Sequence, residues 1–241
     1  MSRPRTMVVG WVLAVLAIAS FTSLGVWQSR RAIEKQAMLD ASARVLALRD
    51  PVSSAQAFAP ARARDYDWYV TRGGFAARAP MLLDNQMRDG RVGVRVYRVF
   101  YPDDGGELLV DLGWLPVAGD RALPRIAPAD PRPMELRGLL APPPSPGLIL
   151  GEAMILSGHA WLMTRIDMPS VKRTVGNPGL PLAPRVLRLD PALPLGFDRD
   201  LQLLANTLPP DKHRGYALQW YALALTVLAT ALILTFRRPR R

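Results

Sequence analysis

The stretch MVVGWVLAVLAIASFTSLGV, residues 7–26, runs 20 residues without a charge, and YALQWYALALTVLATALILTF, residues 216–236, runs another 21. At about 1.5 Å rise per residue, each makes a helix roughly 30 Å long, the thickness of a bilayer's hydrocarbon core. Both read as transmembrane helices that bracket the rest of the chain. The first also has the features of a cleavable leader, because Arg3 and Arg5 precede the apolar run and Ala17-Ile18-Ala19 is a small-residue site. The run continues past that site to Val26, which favours an uncleaved anchor.

Charge sets the expected topology. Arg237, Arg238, Arg240 and Arg241 follow the second span, whereas Lys212 and Arg214 on its other flank are offset by Asp211. The positive-inside rule therefore assigns residues 237–241 to the cytoplasm, and two spans bring residues 1–6 to the same side. Residues 27–215 are then expected as an extracytoplasmic domain. With nothing like a transit peptide before the first span, the expected home is a bacterial inner membrane and the domain's compartment the periplasm. Trp27 closes the first span and Tyr216, Trp220 and Tyr221 open the second, all at one membrane surface.

Composition removes several classes of function. The chain has 241 residues, no cysteine and only His159 and His213 as histidines. Disulfides, thiolate metal sites, Cys-x-x-Cys chemistry and a His-rich metal cage are thereby excluded or made improbable. The net charge of +11 comes from 31 basic and 20 acidic residues, and the arginines of the two tails supply about half of the excess. Since neither a basic block nor an aromatic-interleaved RNA-binding motif occurs outside the membrane flanks, no nucleic-acid partner is expected. Anionic lipid headgroups explain the charge more simply.

Between the spans the pattern predicts mostly strands, an α+β fold overall. Residues Ser29 to Val45 lack Pro and Gly and continue the first helix out of the membrane, with Pro51 at or soon after its end. Strand candidates are Asp67–Thr71, Met81–Asn85, Val92–Tyr101, Glu107–Gly113, Met134–Leu140, Trp161–Ile166 and Arg185–Leu189. Asp103-Asp104-Gly105-Gly106 supplies a turn for a hairpin between the third and fourth of these. Nine of the 23 prolines lie in residues 116–146, which reads as a semi-rigid connector dividing the domain in two.

Chemistry is sparse. No Gly-rich phosphate loop, nucleophile elbow or His-Glu-x-x-His helix is present. Ser157-Gly158-His159 places a hydroxyl beside an imidazole without an orienting carboxylate, and a membrane-anchored hydrolase built on His159 is the weakest of the functional readings. Asp84-Asn85-Gln86 with Gly90 and Gly93 is expected to be a polar strand end capping a turn rather than a metal or sugar site. The richest stretch is Lys212-His213-Arg214-Gly215-Tyr216-Ala217-Leu218-Gln219-Trp220. On a helix, Tyr216 and Trp220 follow His213 at i+3 and i+7, so an imidazole sits above an aromatic stripe. A haem could use that arrangement, with Arg214, Arg30 or Arg31 meeting its propionates; equally, His213 could cap the helix while the aromatics anchor it in the headgroups. Gln28 and Gln219 could hydrogen-bond across the hairpin.

Four motifs in order carry a resemblance: Leu24-Gly25-Val26-Trp27-Gln28-Ser29-Arg30-Arg31 with Glu34-Lys35, Leu83-Asp84-Asn85-Gln86, Gly113-Trp114-Leu115-Pro116, and Lys212 to Trp220. With the two spans, they resemble the SURF1 family of cytochrome c oxidase assembly factors across nearly the whole chain. The resemblance implies a non-enzymatic helper in maturation of the haem–copper oxidase. Its expected cofactor is transiently bound haem a, delivered to the oxidase catalytic subunit, with the haem a synthesis enzymes as further partners. It implies His213 as the iron ligand, with Tyr216, Gln219, Trp220, Trp27 and Gln28 as supporting groups. The rival expectation is a structural scaffold that holds an oxidase subunit and touches no cofactor. The chain departs from the family at Leu112, where an arginine usually precedes the Gly-Trp pair, so any role of that arginine is absent or moved.

Overall fold

The structure, a computed structural model, describes residues 3–119, 122–145, 151–203 and 207–237. Part of the basic tail (238–241), the first two residues and residues 120–121 and 146 of the proline-rich stretch lie outside the described residues. The elements are α1 (Arg3–Leu48), α2 (Ser54–Phe58), β1 (Asp67–Phe75), β2 (Met81–Arg88), β3 (Arg91–Pro102), β4 (Glu107–Pro116), β5 (Met134–Ala141), β6 (Met154–Ser157), β7 (Ala160–Met163), α3 (Met168–Val175), β8 (Leu182–Leu189) and α4 (Pro210–Phe236). They form an α+β protein in two compact units, one of residues 1–40 with 207–241 and one of residues 41–206.

The first unit is a helix pair. Both α1 and α4 are long and apolar enough to cross a membrane, and most of their large side chains face outward. They run antiparallel: the Trp11 indole donates to the Thr235 hydroxyl at 3.0 Å, Phe21 stacks on Trp220 with ring centroids 5.6 Å apart, and Lys35 Nζ donates to the Leu208 carbonyl at 2.5 Å. Small residues allow this approach. Ala14, Ala32, Ala217 and Ala224 are buried, and a Cβ on Gly25 would stand 2.5 Å from the Tyr221 ring. In hydrocarbon, helix association depends on such close packing because there is little hydrophobic drive. Hydroxyls are satisfied within their own helix: Thr226, Thr230 and Thr235 donate to the carbonyls of Ala222, Thr226 and Ala231. This removes the cost of an orphan donor in lipid.

The second unit is one eight-stranded mixed sheet, ordered β1-β5-β8-β4-β3-β2-β7-β6. Pairs β2–β7 and β4–β8 are parallel and the rest antiparallel. An additional pairing of Gly73–Phe75 on β1 with Phe100–Pro102 on β3 closes β1-β5-β8-β4-β3 into a ring. Alternate side chains of these strands fill two cores. Tyr69, Phe75, Val94, Val96, Phe100, Leu108, Val110, Leu112, Leu136, Leu140 and Leu187 make one. Met81, Leu83, Tyr97, Val99, Leu109 and Val186 make the other, against which α3 packs Val171 and Val175. Fully burying each such side chain stabilises by about 1.5–3 kcal/mol before chain entropy is counted.

The expected hairpin is β3–β4, and each expected strand has a counterpart. The proline-rich stretch, however, does not divide the domain. It contains β5, which lies in the sheet between β1 and β8 with seven residues paired to β1. The prolines flank this strand and leave its ladder intact, so chain-local stiffness says nothing about where the core is continuous. Strand β7 ends at Met163 rather than Ile166, because Asp167 begins α3 by accepting the Ser170 N–H at its N-terminus. Helix α3 and strand β6 had no periodic signal long enough to be read.

Candidate functional site

The four motifs gather in two places, one in each unit. In the sheet, Leu83-Asp84-Asn85-Gln86 is a bulge inside β2, between Leu83 and Gln86, rather than a strand end. Asn85 adopts φ +58°, with its N–H donated to its neighbour's Asp84 carboxylate at 2.7 Å. The bulge frees the Gln86 carbonyl to accept the Trp114 indole N–H at 2.9 Å, so the second and third motifs are joined directly. Arg91 lies over the same indole. Gly113 is a second irregularity, at φ +116°, where β4 shifts register against β3. A Cβ there would stand 2.8 Å from the carbonyl oxygens of Phe197 and Asp198. The segment after β8 is thus laid across β4, with Trp114 N–H donating to Asp198 O and Phe197 N–H to Leu112 O.

A buried charge network supports this crossing and was not legible in the sequence. Asp111 accepts from Arg95 at 2.7 Å and from the Gly113 N–H at 3.0 Å, with Arg188 3.8 Å away. Arg88 reaches Asp198 at 2.9 Å and Asp200 at 2.5 Å. Burial pushes the Tyr97 hydroxyl up, and Asp111 beside it adds to the shift. Leu112 turns into the apolar core. It is a hydrophobe among hydrophobes, while Arg95 and Arg188 lie 2.7 Å and 3.8 Å from the carboxylate of the preceding Asp111. These contacts hold a fold together and present no free donor set.

Ser157-Gly158-His159 forms the β6–β7 turn, where His159 is exposed and its Nε2 lies 3.3 Å from the Pro124 carbonyl. No carboxylate orients it among its recorded contacts, and no cluster of three His, Cys, Asp or Glu suited to a metal occurs among the described residues.

The helix pair holds the other two motifs. His213 lies in the first turn of α4, 6% exposed, on the stripe it shares with Ala217 and Ala224. Its Nδ1 is 2.6 Å from Gln28 Oε1 on α1. Its Nε2 is buried with no hydrogen-bond partner among the described residues. The charges of Lys35 and Arg31 act on the ring, while Arg31 pairs with Glu34 and Arg214 with Asp211. Trp220 stacks on Phe21 of α1. Tyr216 and Trp27 are 42% and 56% exposed, and Gln219 is exposed. Gln28 thus pairs with His213 and not with Gln219. The i+4 and i+11 alanines, not the i+3 and i+7 aromatics, form the buried centre of the stripe, since close helix contact selects small residues. An imidazole with one nitrogen held and the other buried without a partner is of a kind that could hold a haem iron, which needs one bare nitrogen on a fixed ring. Admission of a macrocycle requires the groups covering Nε2 to turn aside.

A mixed eight-stranded sheet that lies, in sequence, between two long apolar helices defines an α+β protein with two candidate membrane helices. The SURF1 family model matches residues 15–225, and the chain belongs to the SURF1 family. This is a family of cytochrome c oxidase assembly factors and not a catalytic one, which implies involvement in assembly of that oxidase. No curated protein matches the chain.

Proposed function

We propose that the protein serves oxidase assembly by holding haem a at the N-terminal turn of α4 and helping its insertion into the catalytic subunit. The observation that supports this is the buried His213, whose Nε2 has no hydrogen-bond partner among the described residues. A lone buried acceptor costs about 1–3 kcal/mol when unsatisfied, and a metal bond would relieve it. Haem when bound would supply the iron that takes that lone pair and propionates for the nearby cations. On the protein side, His213 ligates, Trp220 and Tyr216 shield the ring plane, and Arg31, Lys35 or Arg214 offers positive charge. Trp27 and Gln219 lie at the lipid-facing rim.

The setting we propose is a bacterial inner membrane with both termini cytoplasmic and the sheet unit periplasmic. The antiparallel pairing of α1 and α4 supports termini on one side, and the arginines after Phe236 favour the cytoplasm. Release to the client follows if the client offers more ligands than one histidine, because a holder that binds more tightly than its client cannot deliver. The haem a synthesis enzymes are natural neighbours in such a transfer.

The test is His213→Ala, purified after co-expression with haem a synthesis. Haem content falls while membrane insertion is retained; an unchanged pigment spectrum discards His213 as ligand. The covered position of Nε2 favours a second reading, a scaffold that grips an oxidase subunit without cofactor. A colourless wild-type protein under ample haem supply supports that scaffold.

A further inference from the structure

Gln28, the partner of His213, makes one of the polar side-chain contacts between α1 and α4, and its geometry carries more than a clamp. A neutral imidazole has one protonated and one bare nitrogen, and the hydrogen bond at one nitrogen decides which is which. Gln28 Oε1 lies 2.6 Å from Nδ1. A carbonyl oxygen only accepts, so this contact is a hydrogen bond in the tautomer whose Nδ1 carries the proton and donates it to Gln28. Nε2 is left as the bare lone pair, and it is this atom that is buried without a hydrogen-bond partner.

We infer that Gln28 is a positioning residue that fixes His213 in the Nδ1–H tautomer and so makes Nε2 a ready metal-ligating atom. This deepens the haem reading and rests on it for the identity of the metal group, but the tautomer itself does not. The arrangement is the second-sphere partner common to ligating histidines, in which an acceptor on the far nitrogen fixes ring orientation and raises basicity. Here the acceptor comes from the other helix, so a competent ligand exists only when α1 and α4 are paired. Without the acceptor, the ring is free to take the other tautomer or rotate, and the bare nitrogen no longer has a fixed place.

With only two histidines in the chain, ¹⁵N-histidine NMR of the full protein in detergent is readable after His159→Gln removes the exposed one. Two variants at position 28 separate positioning from simple packing. Gln28→Glu keeps an acceptor oxygen, and Gln28→Leu removes it. At a pH where the ring is neutral, the parent and Gln28→Glu show Nδ1 protonated and Nε2 bare, and Gln28→Leu shifts toward Nε2–H. A parent already in the Nε2–H form, or a tautomer unchanged in Gln28→Leu, overturns the inference. Titration with ferric haem gives the second readout. Gln28→Leu weakens binding about 10–100-fold and Gln28→Glu restores it with a lowered haem reduction potential. Equal affinity in all three overturns the ligand-positioning role. If no variant binds haem while the tautomers behave as stated, the haem reading falls and the assignment of the bare nitrogen stands. Helix content and thermal midpoint of each variant identify any loss of folding, and Gln28→Asn then replaces Gln28→Leu as the test of acceptor reach.

Discussion

Removing the carboxylate of Asp111 destabilises the sheet unit strongly. Asp111 is 4% exposed and accepts from Arg95 at 2.7 Å and from the Gly113 N–H at 3.0 Å, with Arg188 at 3.8 Å. Burial presses the Arg188 guanidinium below its ordinary range; Asp111 is the largest opposing influence, and the like charge of Arg95 adds to the depression. Asp111→Leu therefore leaves the buried Arg95 and the part-buried Arg188 without this counter-charge, and an orphan N–H at Gly113. Breaking a buried pair in this way costs about 3–5 kcal/mol, against a total stability of about 5–15 kcal/mol for a domain. Denaturant unfolding of the full chain in detergent, followed by tryptophan fluorescence, measures the loss, because Trp114 reports on the adjoining motif. The double change Arg95→Met with Asp111→Leu restores part of the stability, since it removes the uncompensated Arg95 charge while the Gly113 N–H and Arg188 remain without Asp111. A loss below about 1 kcal/mol for Asp111→Leu, or a double variant no better than the single one, refutes the claim that this network is buried and charge-balanced.

Two further outcomes follow from the same unit. Gly113→Ala forces a side chain into φ +116° and within 2.8 Å of two carbonyl oxygens; it costs about 1–3 kcal/mol, and hydrogen exchange rises at the Phe197 and Trp114 amides, which are donors in the crossing. Acid weakens the unit through Asp190 and Asp200. Burial alone would raise both carboxyls, but the backbone N–H of Ala192 with Arg137 and Arg49 for Asp190, and the backbone N–H of Gln202 with Arg88 and Arg188 for Asp200, outweigh it and hold them below the usual range. Their folded pKa lies under the unfolded value of about 3.9, so the contribution is fully present above that value and is lost as pH falls below it. The midpoint temperature of the full chain should be flat from pH 7 to about 5 and fall below about 4; a midpoint that rises on acidification contradicts the assignment.

What the chain declares locally was readable without a structure. The uncharged runs at 7–26 and 216–236, the turn at Asp103–Gly106 and the alternation in Val92–Tyr101 depend only on neighbours in sequence, and helix, hairpin and strand follow from them. The family was readable too, from four short motifs in order, and the family model spans residues 15–225. The tertiary structure decided the rest because it depends on contacts between distant residues. Proline density suggested a division at 116–146, yet β5 inside that stretch pairs with β1 and β8, more than 40 residues away in each direction. An aromatic stripe below His213 was the visible signal on α4, yet the buried line runs through Ala217 and Ala224 because α1 packs there. Gln28 was visible as a polar residue able to hydrogen-bond across the hairpin, and the resemblance made it a supporting group, but neither named its partner. That its oxygen meets the imidazole of a residue 185 positions later is a property of paired helices, and no local pattern encodes which of two ring nitrogens is left bare.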